Sequence, residues 1–470
     1  MTYIQKHTNI SDVSIQHLDS ELLINGWIRN TRIQSSLAFV EIYDGSTSKS
    51  IQAISEESVM NDKIKSLSIG SSISMRALVV KHPKEGVELK IKDILYIGKI
   101  NDPVSYILNA KKMGLDILRE HQDVRCKTRT FNAVFRIRAG LSQATHNFFY
   151  MKGFHHLNPN IVTTSDCEGA GEVFTITNML SKNIKDIPKV GDQIDYTKDF
   201  FEKQAFLTVS SQLQLELLCA GLGKVWTSNK SFRSEKSKTN RHLGEFEHIE
   251  WEFAWANLGD LMDFSEEYTQ YCFKYVLEKH MDDLDELNKF TSKGIIDRLN
   301  GFCKSYQRIT YDDAIKIIED NSEEIKKLYK LKDLPKWGDD LGSDCEKYIA
   351  ELHLKSPTFV YNYPKDLKSF YMKQNDDGKT VQACDLLIPG LGELIGSSVR
   401  EENYEKLMET VKSRKMSEEK LKWYIDLRLN GSTPTAGAGL GFDRLVRICT
   451  GMENIRDAVP FPVAYQECRF

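Results

Sequence analysis

The sequence lacks every segment that would tie it to a membrane or an export route. No apolar run approaches the roughly 20 residues that a membrane-spanning helix needs. The opening MTYIQKHTNISDVS joins no basic stretch to an apolar one and carries few basic residues, so neither a secretory signal nor a mitochondrial presequence is expected. The nine cysteines, scattered from Cys126 to Cys468, include no C-x-x-C pair. An odd, unclustered set fits reduced thiols better than a disulfide frame or a zinc site, and points to the cytoplasm. Charge of one sign is not in excess: the net charge of −4 excludes a uniformly basic nucleic-acid scavenger but leaves room for a local basic patch. Internal repeats and low-complexity tracts are missing, as are G-x-x-x-x-G-K-[ST] and a helix-opening G-x-G-x-x-G. A bound nucleotide must therefore be held by side chains on a sheet and not by a glycine-rich cradle.

What is present fills 470 residues, enough for two or three domains that each bury a core. Residues 1–100 are β-rich: LLINGWIRN, LAFVEIYD, KSIQAIS, SSISMRALVVK and VELKIKDILYIGK alternate apolar and polar residues between turns. Five short strands and one probable helix, within ISEESVMNDKIKSLSIG, are what an OB-type barrel requires, although alternation alone leaves other small β-modules open. Residues 101–130 read as a hinge with a basic face (Lys111, Lys112, Arg119, Arg125, Lys127, Arg129), which is also what an ordinary solvated surface looks like. From 131 to 470 the order is a long helix, strands, a mostly helical stretch at about 258–351, strands such as PTFVYNYP, SFYMKQN, TVQACDLLIPG and GELIGSS, then helices and a last glycine-rich strand and helix. Without regular β-α-β alternation, this predicts an α+β domain on an antiparallel sheet with a helical insertion.

Two segments carry the chemistry: FRSEKSKTNRHLGEFEHIEWE (232–252) and GAGLGFDRL (437–445). Each places an arginine beside an acid and an aromatic at a strand end or a helix start. A single Phe-Arg-x-Glu reads as a surface ion pair. Two arginines, Arg233 and Arg444, delivered from separate β-elements are what a triphosphate needs, because guanidinium forks pair with phosphate oxygens bidentately. Phe246 follows a polar loop and offers a face to a base, with Arg444 on the other side, although a buried Phe is more often core. Asp385 and Glu393 flank the turn DLLIPGLGE, where a hairpin lets both carboxylates converge on Mg²⁺; two unrelated strand-end acids fit the spacing equally well. Arg400 follows GELIGSSV and is expected to point into the same cavity.

FRSE…RHLGEFE resembles motif 2 of the class II aminoacyl-tRNA synthetases, GAGLGFDRL resembles their motif 3, and the helix ending in KGFHHLNPNIV, with Pro159, resembles motif 1. TSDCEGAGEVF, FLTVSSQLQLE, NYPKDLKSFYM, DLLIPGLGELIGSSVREE and TGMENIRDAVPFP are similar to the asparaginyl members of the aspartyl/asparaginyl/lysyl subgroup, and the likeness spans nearly the whole chain. The resemblance implies an ATP- and Mg²⁺-dependent ligase that activates L-asparagine as its adenylate and transfers it to the 3′ end of tRNA(Asn). It also implies a homodimer formed through the motif 1 helix and strand. By the same resemblance, Arg233 holds the α-phosphate and substrate carboxylate, Glu235 the adenine amino group, Arg444 the γ-phosphate, and Phe246 stacks beneath the ring. His242 lies near the pyrophosphate or the tRNA end, Asp385 and Glu393 hold Mg²⁺, Glu168 pairs with the substrate ammonium, and Gln212 orients the substrate.

Similar aspartyl enzymes read S-P-Q-x-x-K where this chain reads Ser210-Ser211-Gln212-Leu213-Gln214-Leu215-Glu216. Leu215 in place of that lysine, with Glu216 after it, is expected to leave an aspartate carboxylate unneutralised while Glu216 accepts from a neutral amide. The plainer alternative is packing for Leu215 and solvent for Glu216; the rival function is a relaxed aspartyl-tRNA synthetase. Phe39 and Gln52 match positions that stack on and hydrogen-bond the central anticodon base, with Arg29 and Arg32 for the RNA backbone. The chain departs from the pattern at Gly396-Ser397-Ser398-Val399-Arg400, where Gly-Gly-Ser-Gln-Arg is usual, and at Val463, where an arginine is usual.

Overall fold

Alternating patterns need a partner strand to become a sheet, and the computed structural model shows which partners they find. It describes residues 7–34, 36–56, 62–109, 113–165, 173–180 and 183–470. Glu168, Lys111 and Lys112 lie outside the described residues. The chain divides into two units, Met1–Ile137 with His280–Lys293, and Arg138–Lys279 with Gly294–Phe470.

In the first unit, strands β1 (Glu21–Ile33), β2 (Ala38–Tyr43), β3 (Ile51–Ser55), β4 (Ser72–Lys81) and β5 (Val87–Gly98) close a barrel in the order β1-β2-β3-β5-β4. Only the β3–β5 pair is parallel. The period of two sends Ile24, Val40, Ile42, Ala53, Met75, Val79 and Leu89 inward, where all are fully buried. The helix Met281–Phe290 also belongs to this unit, and not to the helical insertion of the larger domain. Its Asp283 receives Arg136 Nη2 at 2.6 Å and Nε at 3.0 Å.

The second unit is built on eight strands: β6 (His155–His156), β7 (Lys224–Phe232), β8 (Glu245–Ala254), β9 (Gln307–Thr310), β10 (Thr358–Pro364), β11 (Thr380–Ile388), β12 (Gly392–Val399) and β13 (Thr435–Gly441). Their order across the sheet is β9-β10-β11-β12-β13-β8-β7-β6. The six central strands are antiparallel as expected, while the two outermost pairs, β9–β10 and β7–β6, are parallel. The stretch 258–351 is mostly helical as expected, with Gln307–Thr310 breaking out to extend the sheet. One local expectation is corrected. SFYMKQN forms only isolated bridges, Met372 to Arg400 and Gln374 to Val381, because its backbone bonds are divided between two neighbours, Lys373 N to Val399 O and Gln382 N to Lys373 O.

One face of this sheet packs on helix α1 (Arg129–Met151) and helix α3 (Leu258–Lys279), with helix α2 (Gln212–Leu222) between them in sequence. Phe149 stacks on Trp226 with ring centroids 4.6 Å apart, and Trp251 and Tyr268 complete an aromatic core that is fully buried. In β8, Ile249, Trp251 and Phe253 take that face. Phe246, His248, Glu250 and Glu252 alternate onto the other, where the functional groups collect.

Candidate active site

Two cavities open on the polar face of the second unit and share a floor. The smaller, about 140 Å³, is lined by Arg233, Glu235, Arg241, His242, Phe246 and Arg444 among others. Arg233 stands one residue beyond β7, held by its backbone N–H to Gly244 O at 3.0 Å, with its guanidinium 5.5 Å from the Phe246 ring centroid. Arg444 opens helix α4 (Phe442–Thr450) and donates Nη1 to Glu393 O at 2.8 Å. That helix start is braced from α1: Arg138 donates to Asp443 Oδ1 at 2.6 Å and to Glu247 Oε2 at 2.7 Å. His242 turns Nδ1 to Thr239 Oγ1 at 2.6 Å and lies 3.9 Å from Glu235 Oε2; burial depresses its pKa, against the pull of Glu235.

The larger cavity, about 440 Å³, is lined by Gln212, Arg233, His248, Asp385, Glu393 and Arg400, with others. Arg233, His248, Glu393 and Gly439 line both cavities, so the two meet at those residues. Asp385 pairs with Gly396 across the hairpin. A register shift after Leu386 then sets Leu387 opposite Glu393. Without that bulge Glu393, three residues from Gly396, would face the opposite side of the sheet; the extra residue turns it onto the Asp385 face. A Cβ built on Gly396 would lie 3.1 Å from Glu393 Oε1 and 3.8 Å from Asp385 Oδ1, so both carboxylates converge on one glycine. Burial raises the Asp385 pKa, although its ion pair with Lys368 Nζ opposes this. No group of three or more metal-binding side chains exists among the described residues. Two hard oxygen donors and an open cavity suit a cation that draws its remaining ligands from water and phosphate, as Mg²⁺ does.

At the far end, Arg400 is buried and donates Nη1 to Ser398 Oγ at 2.6 Å and Nε to Glu252 Oε2 at 3.2 Å. Burial would lower its pKa, but Glu252 and Glu216 raise it, so the guanidinium stays charged. Glu216 lies 3.7 Å from Arg400, and accepts from Gln212 Nε2 at 3.1 Å, Tyr424 OH at 2.7 Å and Arg428 Nη2 at 2.9 Å. Glu216 thus has two donors on Oε2 and one on Oε1; it does not line the large cavity, but lines a small neighbouring one with Arg400 and Arg428. Leu215 is fully buried and packs with Cys219 and Val225, so it meets no substrate directly. Among the departures from the family pattern, Ser397 lines the cavity and donates Oγ to Cys384 O at 2.7 Å. Val399 is buried and pairs with Ala436, off the cavity. Val463 acts through its backbone, accepting Gly244 N at 2.8 Å behind the Arg233 loop.

On the barrel, Phe39 and Gln52 project outward from β2 and β3, through the cross-strand pairs Phe39–Ile54 and Glu41–Gln52. Arg32 pairs with Phe39 on the same face. Gln52 donates Nε2 to Glu88 Oε2 at 2.9 Å. Arg29 is the extra residue of a bulge between Ile28 and Asn30. Its guanidinium stacks 3.9 Å over Tyr43, and burial pushes its pKa down to about 10.

Residues that the sequence reading passed over also reach the site: Arg241 and His248, and the buried Lys368 on Asp385. Glu346 joins the carboxylate group, and burial with Glu393 and Asp385 nearby pushes it up to about 8. His248 was visible in principle, since it continues the polar alternation of β8. Lys368 had no local signature.

Residues 115–465 match the family of class II tRNA synthetases (D, K and N), and residues 22–97 match the OB-fold nucleic acid binding domain. The chain is 41% identical to asparagine–tRNA ligase of Shewanella frigidimarina over 458 residues, covering 96% of each chain. It is 41% identical to asparagine–tRNA ligase of Cytophaga hutchinsonii over 460 residues, covering 97% of each. Its fold superposes on the crystal structure of asparaginyl-tRNA synthetase from Pyrococcus horikoshii complexed with asparaginyl-adenylate, with a TM-score of 0.84, 30% identity and 98% of each chain covered.

Proposed function

Because the chain belongs to the class II tRNA synthetases of the D, K and N group, we propose that it is an asparagine–tRNA ligase. It uses ATP to activate L-asparagine and passes the acyl group to tRNA(Asn). The observation that carries this reading is Arg233, which lines both cavities. A carboxylate entering from the large cavity and an α-phosphate entering from the small one meet at a single guanidinium fork.

In the first step a carboxylate oxygen of asparagine attacks the α-phosphorus, the bond to the β-phosphate oxygen breaks, and pyrophosphate leaves with the electron pair. In the second, a terminal ribose hydroxyl of the tRNA attacks the acyl carbon and AMP leaves. Arg233 neutralises the charge gathering on the α-phosphate and carboxylate, and Arg444 that on the terminal phosphate. Phe246 presents a flat apolar face to the adenine, and Glu235 an acceptor for its amino group. Asp385 and Glu393 are the residues that would hold Mg²⁺, which supplies charge neutralisation on the phosphates when bound. Gln212 orients the substrate, and Glu168 is assigned its ammonium. No side chain becomes covalently bonded.

Asparagine is favoured over aspartate by charge balance around Arg400. Arg400 and Arg428 face Glu252 and Glu216, two cations against two carboxylates in a buried cluster. A neutral amide adds no charge to that balance, whereas an aspartate carboxylate enters without a free cation to meet it.

Phe39, Gln52 and Arg32 form the outer barrel face that would receive the anticodon. The exposed Tyr150 and Met151 at the end of α1, with the edge strand β6, would form the homodimer contact. No described helix is long and apolar enough to cross a membrane, and the unpaired cysteines suit the cytoplasm.

ATP–pyrophosphate exchange by the purified protein, with asparagine and aspartate in parallel, tests the reading. Exchange with asparagine alone is expected. Exchange driven by aspartate would replace it with a relaxed aspartyl-tRNA synthetase, and silence with both would remove the activity.

A further inference from the structure

His248 sits where the two cavities meet, and none of the roles assigned above uses it. It projects from β8 between Phe246 and Glu250, with 12% of its side chain exposed. Its Nδ1 lies 3.2 Å from Ser231 Oγ and 3.5 Å from Glu250 Oε1. The second distance is long for a hydrogen bond; the first is not. Glu250 is already engaged by Ser210 Oγ and by Ser211 N at 2.9 Å. Ser231 is fully buried, and its hydroxyl is placed to donate to Nδ1 in the tautomer that carries the ring proton on Nε2.

Nε2 points at the strand β13 at Gly439. A Cβ there would lie 2.5 Å from Nε2, and Gly439 itself lines both cavities. The glycine therefore makes room for the ring itself, whose Nε2 edge fits where a side chain would stand at the junction. Burial depresses the His248 pKa; Glu250 opposes this, while Arg233 and Arg444 reinforce it, so the imidazole is neutral.

We infer that His248 is a third donor to the reacting anions: its Nε2–H hydrogen-bonds an oxygen of the asparagine carboxylate, and then the acyl phosphate of the adenylate made from it. This rests on the ligase reading above and adds a residue to it. A neutral donor suits the place. It adds direction without a further positive charge between Arg233 and Arg444, and it is rigid because Nδ1 is held and the ring is walled by two strands.

Three substitutions separate the possibilities. In His248→Gln the side-chain amide reaches about as far as Nε2, whereas in His248→Asn it stops near Nδ1. His248→Ala removes both groups. Two readouts apply: exchange kinetics with asparagine, and affinity for a sulfamoyl analogue of asparaginyl-adenylate, which binds without turnover. His248→Ala and His248→Asn are expected to lower kcat of exchange by roughly 10²-fold, the loss typical of one oxyanion donor, with KM for ATP changed by less than about threefold. Analogue affinity should fall at least about tenfold in both and recover to within about fivefold of wild type in His248→Gln. The inference is overturned if Ala matches wild type in both readouts, or if Gln is no better than Ala. A Gln variant that binds the analogue but does not support exchange would also overturn it, by making the ring a proton acceptor. Wild-type protein that neither exchanges nor binds the analogue would instead remove the ligase reading along with this one.

Discussion

Arg428 Nη2 lies 2.9 Å from Glu216 Oε2 in the interior of the second unit, and the other Glu216 oxygen faces Arg400 at 3.7 Å. A buried pair of this kind contributes little net stability against an apolar replacement, yet its loss on one side strands a charge.

Glu216→Gln is therefore expected to cost about 3 kcal/mol, measured as a shift in the urea unfolding midpoint. It also leaves Arg400 and Arg428 with one carboxylate fewer, so aspartate-driven exchange should rise relative to asparagine-driven exchange. An unchanged ratio would detach this cluster from selectivity.

Arg233→Lys keeps the charge but loses the fork and the contact with Phe246. Exchange should drop by about 10²–10³-fold, as for other lost donors at a developing charge. Near-wild-type exchange in this variant would show that a point charge suffices.

Asp385→Asn removes one of the two convergent carboxylates and the partner of Lys368. The Mg²⁺ concentration needed for half-maximal exchange should rise, while the asparagine KM moves little. A titration curve that overlays the wild type would place the cation elsewhere.

Phe39→Ala removes an aromatic face from the barrel and leaves every residue of the catalytic sheet in place. Affinity for tRNA(Asn) should weaken by about 1–3 kcal/mol, the usual value of one base stack, with exchange unaltered. Unaltered tRNA affinity would take Phe39 out of the RNA-binding face.

His248 gives the acid side of the stability curve a defined sign. Its surroundings are Ser231, Glu250, Arg233, Arg444 and Glu393, and burial sets the folded pKa below the ordinary 6.5. The unfolded chain then binds the proton more readily than the folded one, so stability is complete above pH 6.5 and is lost as pH falls through the folded value. Urea unfolding at pH 7.5, 6.5 and 5.5 should show wild type losing more stability on acidification than His248→Gln, which carries no titrating group. Parallel losses in the two proteins would place the titration on another group.

Much of this molecule is legible locally. The barrel strands follow from a period of two, because each alternation needs only its own residues to define an inside and an outside. The polar face of β8 and the pairing of an arginine with a phenylalanine across a polar loop are readable the same way, and so is the Pro-Gly hairpin joining Asp385 to Glu393. The short strand Gln307–Thr310 was not readable. Four largely polar residues carry no periodicity, and only docking on Thr358–Tyr361 makes them a strand.

The sequence by itself determined the fold class and the two modules, and it singled out Arg233 and Arg444, which the structure brings to one cavity, since those rest on patterns within single segments. Tertiary structure alone decided what the substrate end can do. A one-residue bulge aims Glu393 at Asp385, and Lys368 reaches Asp385 from the turn after β10. Glu216 meets an arginine 212 positions away, which makes it part of the counter-charge around Arg400. Such contacts depend on where separate elements pack, and in a buried site it is that packing, with its low dielectric, that sets which charges are matched and which remain for a ligand.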